Sequence, residues 1–355
     1  MPGFRLKPSP QGARRPRKPQ GIGQERYRPL ADKEDGKKMT ILISGSLAFD
    51  RLAIYPGLFS DNFLEGKLSI LNASFLVESV TRAHGGTAGN IAYNLRLLGE
   101  RPLVISALGD DPDGREYLDR LTQWGLSLEA VHVDPGLPTP GAYIATDAAN
   151  SQLIFFHPGA MAANSPFDPR GLQGDPESHV AMISPGGLSD MLRLSDAYRE
   201  MGIPFVFDPG QQIPAFTGEE LVSMLRGSAM LITNEYELDL LLGKCGLKTQ
   251  DLFGLTGTVL TTLGDKGSRI LTPSGDQRIA AVPVTNAVNP TGAGDSYRAG
   301  LLKGMTMGLD LAKGARLGST VAAFCVETDG TQGHAFGMEA LRERYSHTFR
   351  EDAPF

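Results

Sequence analysis

From residue 40 onward, short apolar runs alternate with stretches whose apolar residues recur at helical spacing. Within 87–98, Ile91, Leu95 and Leu98 fall on one helical face, and Gly99 ends the pattern. The second half repeats a strand and then a helix with short connections. This repetition predicts βαβ units and a mainly parallel sheet covered by helices on both faces.

The individual elements follow from the same pattern. Strands are predicted at 40–46, 103–107, 130–134, 141–146, 152–157, 180–183, 204–207, 229–232, 258–262, 268–272 and 279–282. Helices are predicted at 87–98, 112–124, 188–201, 218–226, 235–242, 249–253, 293–307, 309–327 and 338–346.

Two segments, 51–84 and 139–160, show strand-like alternation with no helix between the runs. In the second, the runs 143–146 and 153–156 flank the polar stretch 147–151, which is the pattern of a hairpin. A small β-sheet lid at the edge of the domain accounts for both segments. The predicted fold class is therefore α/β: a doubly wound, mainly parallel sheet with helices on both faces and a small β-sheet lid.

Charge divides the chain of 355 residues, whose net charge is −6, into two unequal parts. Residues 1–38 carry a net charge of +7 with many prolines and no apolar periodicity, which predicts a disordered basic tail rather than a signal peptide. The body at 39–347 is acidic, so nucleic acid is not expected as a partner, and no apolar run is long enough for a membrane span. A short C-terminal tail is predicted at 348–355.

Cysteine and histidine usage indicates the redox compartment and excludes some classes of metal site. Cys245 and Cys325 are far apart and unaccompanied by metal-ligand spacings, which favours a reducing cytoplasm, and the absence of HExxH argues against a zinc enzyme. The chain contains neither a P-loop nor a GxGxxG turn after its first strand, so neither of those nucleotide-binding folds is indicated.

The strongest chemical signal is the run from Asn289 to Asp295, a glycine-rich turn that opens a predicted helix. First-turn N–H groups are unpaired and the helix dipole favours negative charge, so Gly292, Ala293 and Gly294 suit a phosphate or a developing oxyanion. Asp295 beside that anion could accept a hydroxyl proton during phosphoryl transfer. The alternative is an ordinary helix start whose acidic residue complements the dipole.

Two earlier segments could bind a polyhydroxyl ligand. Gly85 and Gly86 precede a helix with Asn90 in its first turn, which permits close backbone approach and a side chain that both donates and accepts. Asp50 follows the first strand, at the edge of the sheet where ligands bind in α/β folds. The alternatives are a glycine hinge with a capping Asn, and a turn Asp.

Two later segments could serve a nucleotide and its metal. Asn234 and Glu237 share a helical face after a strand and could orient a hydrated Mg²⁺, or could simply cap the helix. The run 261–268 could cover a nucleotide with backbone amides and a lysine, or could be a plain hairpin loop. Its candidate binding residues are Thr262, Gly264, Asp265, Lys266 and Gly267.

Aromatic residues in the second lid segment give one further candidate. At strand spacing, Phe155 and His157 share one face and Phe156 lies on the other. A lid aromatic could stack on a nucleobase, or could pack onto its own domain.

In this order, these segments resemble the ribokinase-like (PfkB-type) carbohydrate kinases over about 40–335. GGTAGN at 85–90 looks like the first family signature, and NPTGAGDSYRAGLL at 289–302 looks like the second. The resemblance implies a doubly wound α/β domain with a lid that closes over the sugar. GSLAFD at 45–50, the GGTAGN region and the lid segment look most like bacterial adenosine kinase-type members.

The resemblance implies an ATP-dependent kinase that phosphorylates a primary hydroxyl of a nucleoside or sugar, with adenosine as first choice. A ribokinase- or fructokinase-type sugar kinase, another nucleoside kinase, and a non-catalytic sugar-binding homologue are the alternatives. ATP and Mg²⁺ are the implied cofactors, in a cytoplasmic monomer or homodimer. The resemblance implies that Asp295 is the base and that Gly292, Ala293 and Gly294 form the anion hole. It implies that the sugar is bound by Asp50, Gly85, Gly86 and Asn90, and that Mg²⁺ and phosphate are organised by Asn234 and Glu237. ATP would be bound by 262–267, and its adenine would be flanked by Ala322, Ala323 and 328–333.

Two positions depart from the family pattern. Asn289 stands where the family usually has Asp beside a monovalent cation, so activation by K⁺ is expected to be weak or absent. Tyr297 stands where Phe is usual, which requires only a partner for its hydroxyl.

Overall fold

The computed structural model describes residues 39–62, 72–149, 151–163 and 165–355. The predicted tail at 1–38 and the part of the predicted lid at 63–71 lie outside these residues. The described strands are β1 (Thr40–Ser44), β2 (Ala48–Ile54), β3 (Ser79–Gly85), β4 (Leu103–Gly109), β5 (Val131–Asp134), β6 (Gly141–Thr146), β7 (Gln152–His157), β8 (His179–Ile183), β9 (Phe205–Phe207), β10 (Met230–Asn234), β11 (Val259–Thr262), β12 (Ser268–Thr272) and β13 (Gly275–Ile279). The α-helices are α1 (Thr87–Leu97), α2 (Pro112–Gln123), α3 (Leu188–Met201), α4 (Gly218–Leu225), α5 (Glu235–Cys245), α6 (Ala293–Thr306), α7 (Leu311–Val326) and α8 (Met338–Phe349).

The large sheet has the strand order β13-β12-β11-β10-β9-β8-β1-β4-β5 and is parallel from β11 to β5. Every residue of β4 is buried, as expected for a parallel strand with helices on both sides. Along β1, Ile41 and Ile43 join the apolar cluster on the side of α1, α6 and α7, while Leu42 joins the cluster beside α3 and α4. The predicted doubly wound α/β class is confirmed.

A separate small sheet has the order β3-β2-β6-β7. The pair β6–β7 is the predicted hairpin. Cross-strand register puts Asp50, Ala142 and Phe156 in one row, on a surface that we call the Asp50 face. On the opposite face, Arg51 and Arg82 form ion pairs with acidic residues of α2, at Asp113 and Glu116.

Three predicted elements differ from the structure. The helix predicted at 249–253 is a 3₁₀ turn at Thr249–Gly254. The strand predicted at 279–282 lies earlier in the chain, as β13 at Gly275–Ile279. This polar edge strand pairs only with β12, so its sequence lacks apolar alternation. The segment predicted as a tail from residue 348 is packed: α8 continues to Phe349, and Ala353 and Phe355 lie against the core.

No helix in the described ranges is both long enough and apolar enough to cross a bilayer.

Candidate active site

Asp295 lies in the first turn of α6, where glycine determines the backbone path. Gly292 precedes the helix with a left-handed φ of 86°, a conformation that side chains disfavour. A Cβ at this position would also come within 3.0 Å of Cβ of Thr331. The predicted anion hole is only partly free, because the N–H of Ala293 donates to the carbonyl of Pro290 at 3.1 Å. That amide must exchange partners before it can bind a phosphoryl oxygen.

The Asp295 side chain is half-buried and accepts a hydrogen bond from Nδ2 of Asn90 at 2.8 Å. Burial raises the pKa of Asp295 to about 7, against the opposing effects of the Arg298 charge and the Asn90 hydrogen bond. A carboxylate with a pKa near neutrality is suited to accept a proton from an alcohol at physiological pH.

We expect kcat/KM to fall about tenfold per pH unit from pH 7 to pH 6, because protonation of Asp295 removes the base, and more steeply below pH 6, where Asp50 is protonated as well. The loss is not caused by unfolding. A carboxyl whose pKa is higher in the folded chain than in the unfolded chain favours folding more as the pH falls. Activity profiles and circular dichroism over pH 5–8 check this. Unfolding that coincides with the activity loss would contradict the assignment.

Asn90 belongs to a polar network that sequence reasoning missed. Its Oδ1 accepts from Nε2 of Gln332 at 3.0 Å, and the same nitrogen donates to the Tyr117 hydroxyl at 3.1 Å. Oε1 of Gln332 accepts from Nε of Arg120 at 3.2 Å. The network fixes the orientation of the Asn90 amide toward Asp295, so only one amide hydrogen remains for the predicted contact with a sugar hydroxyl.

Asp50 projects from β2, and no hydrogen-bond donor in the described part of the chain reaches its carboxylate. Burial raises its pKa to about 6. Gly85 is required beside it, because a Cβ there would lie 2.4 Å from Oδ2 of Asp50. Gly86 has a φ of 85°, and a Cβ there would lie 2.5 Å from the carbonyl oxygen of Ser46. The glycine pair therefore makes room for Asp50 and for the β1–β2 turn, leaving a carboxylate able to accept from two hydroxyls.

A cleft of about 310 Å³ lies at the carboxyl ends of the parallel strands, and we call it the Asp295 cleft. It brings together six of the predicted site residues: Asn234, Glu237, Thr262, Gly264, Gly294 and Asp295. The other predicted nucleotide-binding residues, Asp265, Lys266 and Gly267, belong to the neighbouring turn, with Gly267 just after its 3₁₀ segment Gly264–Lys266.

Asn234 and Glu237 form a reciprocal capping box at the start of α5. Oδ1 of Asn234 accepts from the Glu237 N–H, and Oε2 of Glu237 accepts from the Asn234 N–H, both at 2.8 Å. The pair therefore caps the helix, which was the alternative interpretation, and also lines the cleft. Burial raises the pKa of Glu237.

No cluster of three or more potential metal ligands occurs among the residues described. Mg²⁺ nevertheless needs only one or two carboxylates when phosphates and water supply the remaining ligands. Glu237 and Asp295 bring carboxylates to the Asp295 cleft, so the donor chemistry fits an ion carried by a nucleotide.

Asp208 and Arg298 form an ion pair in the same cleft that sequence reasoning also missed. Both side chains are buried, and Arg298 donates to both carboxylate oxygens of Asp208. Asp208 directly follows β9, so its position after a buried strand was a usable signal.

The segment 328–333, expected beside adenine, also contacts the opposite side of the site. Oγ1 of Thr331 donates to the carbonyl of His84 at 2.9 Å, and Gln332 reaches Asn90. This segment therefore connects the Asp295 turn with β3 and α1. Tyr297 has its hydroxyl partner, because its oxygen lies 2.8 Å from Oγ of Ser268.

Asn289 is engaged by neighbouring residues. Its Nδ2 donates to Oδ1 of Asp329 at 3.1 Å, and its Oδ1 accepts from the N–H of Thr291 at 2.9 Å. The Asn289 amide thus donates a hydrogen bond to the Asp329 carboxylate, whereas an aspartate at position 289 would repel it.

We expect kcat/KM in K⁺ and in tetramethylammonium to agree within about twofold, because the amide supplies no charge for a monovalent cation. Asn289→Asp places a second carboxylate beside Asp329 and should introduce stimulation by K⁺. Initial rates at constant ionic strength measure both effects. A strong K⁺ requirement in the parent chain would overturn the prediction.

An α/β sheet with a half-buried carboxylate at the start of a glycine-led helix, next to a cleft at its strand ends, is the arrangement expected of a phosphotransferase with an alcohol acceptor. Residues 46–335 match the family described as pfkB family carbohydrate kinase, and the chain belongs to that family.

Named relatives agree with this assignment. The chain is 33% identical over 300 residues to the nucleoside kinase of Methanothermobacter thermautotrophicus, covering 82% of this chain and 91% of that protein. Its structure is similar to Burkholderia thailandensis nucleoside kinase in complex with inosine, with a TM-score of 0.76, 33% identity and coverage of 88% of this chain and 99% of that one. The structure is also similar to that of Methanocaldococcus jannaschii nucleoside kinase, with a TM-score of 0.78, 27% identity and coverage of 88% of this chain and 100% of that one.

Proposed function

We propose that this protein transfers the γ-phosphoryl group of ATP to the primary hydroxyl of a nucleoside, with adenosine as first choice and inosine next. The position of Asp295 carries the proposal: it is hydrogen-bonded to Asn90 on the acceptor side and lines the cleft that contains Thr262 and Gly264 on the nucleotide side. Asp295 takes the hydroxyl proton as the hydroxyl oxygen attacks the γ-phosphorus, the bond from that phosphorus to the β,γ-bridging oxygen breaks, and ADP leaves. The anion-hole amides stabilise the charge on the transferred group.

The nucleotide site is proposed at the strand ends around Asn234 and Glu237, with 262–267 covering ATP. Mg²⁺ bound with ATP would neutralise phosphate charge, and Asn234 and Glu237 would orient its water ligands. Local groups must bind the anion, because the chain has a net charge of −6.

The Asp50 face of the small sheet favours a nucleoside over a simple sugar. Asp50 and Phe156 lie in one row with only Ala142 between them, hence two strand spacings or about 10 Å apart. The next row is apolar, with Leu52, Ile144 and Ile154. Phe156 is 48% exposed and Ile154 57% exposed. A carboxylate for ribose hydroxyls and an apolar surface this far away match the length of a nucleoside.

Phe156→Ala should raise KM for adenosine about tenfold or more, because base stacking on an aromatic ring contributes about 1–3 kcal/mol. The matched control is Phe155→Ala, since Phe155 is 68% exposed on the opposite face. Steady-state kinetics with adenosine and ribose separate base stacking from general damage to the sheet. Equal effects of the two variants would contradict a base-binding role for Phe156.

An acceptor panel tests the proposed function directly. Adenosine, inosine, cytidine, ribose and fructose are compared by coupled ADP detection, and a nucleoside should give the highest kcat/KM. Ribose or fructose giving the highest value would instead support the sugar-kinase alternative. Phosphorylation of none would support a sugar-binding homologue, for which Asn289 is the one sequence feature.

A cytoplasmic location is proposed from cysteine chemistry. Cys245 and Cys325 are both unpaired, as is usual in a reducing compartment. Monomer and homodimer both remain compatible with the proposed reaction.

A further inference from the structure

Arg298 is the only cation among the described residues that line the Asp295 cleft. Three carboxylates, from Asp208, Glu237 and Asp295, line the cleft with it. The guanidinium lies one helical turn beyond the base, and its side chain is only 9% exposed. A buried charge in this position needs a structural or chemical reason, because removing it from water is costly.

The guanidinium connects two parts of the site. Nε and Nη2 donate to the two oxygens of Asp208, the latter at 2.7 Å, in a fork geometry that only arginine can make. Nη1 donates to the carbonyl oxygen of Gly294 at 3.0 Å. That carbonyl belongs to the peptide whose N–H is the backbone donor of Asp295. Arg298 therefore bonds Asp208, which follows β9, on one side and the turn that carries Asp295 on the other.

Gly294 shows how closely the guanidinium is packed against this turn. A Cβ built on Gly294 would lie 3.0 Å from Nη1 of Arg298, a tight contact that the guanidinium could relieve only by moving away from the turn. The glycine thus has a second function besides access for an anion: it leaves space for the arginine to reach the Gly294 carbonyl.

We propose that Arg298, clamped by Asp208, is a positioning residue for phosphoryl transfer, which fixes the peptide between Gly294 and Asp295 and with it the direction of the base and of the anion-hole amides. The inference rests on the proposed function. Small displacements of such groups are costly in rate, because most of the catalysis in phosphoryl transfer is positioning.

The test replaces the whole pair, since removing one partner would leave an uncompensated buried charge. Arg298→Met combined with Asp208→Leu should fold, bind nucleoside and ATP with KM within about threefold, and lose about a hundredfold in kcat. The acid limb of kcat/KM should move to higher pH, because the lost positive charge favoured ionised Asp295 more than Asp208 opposed it. Arg298→Lys should not restore kcat, since one ammonium group cannot reproduce the fork.

A matched control uses another ion pair on α6. Lys303 pairs with Glu100, which is 5% exposed, and neither lines the Asp295 cleft. Lys303→Met combined with Glu100→Leu should leave kcat and the acid limb unchanged. A hundredfold loss in this control as well, or a kcat for the Arg298 and Asp208 double variant within about threefold of the parent, would overturn the positioning role.

Failure of the proposed function is recognised separately, because the parent chain is assayed first. If the parent phosphorylates no acceptor, the proposed function fails while the positioning role is still tested by binding. Mg·ADP with aluminium fluoride, a mimic of the transferred phosphoryl group, should then bind the double variant about tenfold more weakly than the parent, with Mg·ADP alone unchanged. Equal binding of the mimic would overturn the inference.

Discussion

Asp295→Asn should leave a folded protein that binds nucleoside and ATP but turns over about a thousandfold more slowly, because general-base groups contribute about 10²–10⁴ in rate. The amide has the same shape as the carboxylate, and its oxygen can still accept the hydrogen bond from Asn90. It cannot accept the proton of the attacking hydroxyl. Coupled ADP detection measures kcat and KM, and calorimetry measures binding of the two ligands.

The same variant should melt at a higher temperature than the parent chain near pH 8. Burial raises the pKa of Asp295 to about 7. The unfolded chain has the ordinary aspartate pKa of about 3.9, so stability is lost progressively as pH rises between these two values. A neutral side chain removes this loss, and each kcal/mol regained corresponds to roughly 2–4 °C in Tm. The gain should shrink as the pH falls from 8 to 5.

Asp119→Asn is the matched control for this variant. Asp119 is an exposed carboxylate on α2, so its neutralisation should change neither kcat nor Tm measurably. If Asp295→Asn retained the parent's kcat, Asp295 would not be the base. Loss of ligand binding together with turnover would instead identify a role in shaping the site.

Asp50→Ala should raise KM for adenosine by a factor of about a hundred or more, because two hydrogen bonds to a charged acceptor contribute about 1.5–3 kcal/mol each. The carboxylate is available for this purpose, since no donor in the described chain reaches it. Deoxygenated substrates make the assignment specific. The parent should discriminate strongly against 2′-deoxyadenosine, and Asp50→Ala should not.

This double comparison separates hydroxyl recognition from disturbance of β2. A collapsed sheet would raise KM for both substrates and preserve their ratio. Discrimination against 2′-deoxyadenosine that is unchanged in Asp50→Ala would therefore remove Asp50 from the hydroxyl site.

Elements with a buried face could be predicted from the sequence, because burial produces the periodicity. The helix at 87–98 and the hairpin of β6 and β7 were predicted nearly to the residue. The polar edge strand β13 was not, since four of its five residues are exposed. The packed segment after 348 was also missed, because its contacts with the core are made by isolated apolar residues rather than by a periodic face.

Candidate site residues that lie in one contiguous turn could be proposed from the sequence, whereas those paired across the fold could not. The run at 292–295 can be recognised from glycines before a predicted helix, and Asp50 can be recognised from its position after the first predicted strand. Asp208 and Arg298 are 90 positions apart, and Asn90 and Gln332 are 242 apart. Only the tertiary structure brings such partners together. The capping box of Asn234 and Glu237 shows that one pair can serve a helix end and line a cleft at once.

Ion pairs between the small sheet and α2 are accessible to water. Arg82 is 35% exposed and Glu116 46% exposed, so water can replace either partner at little cost. Exposed pairs of this kind contribute only about 0–1 kcal/mol each. Phe49 at the start of β2, by contrast, is fully buried in the core cluster. Water can therefore replace the salt links while the start of β2 stays packed, so local opening is expected at the far ends of the small sheet rather than at its junction with the domain.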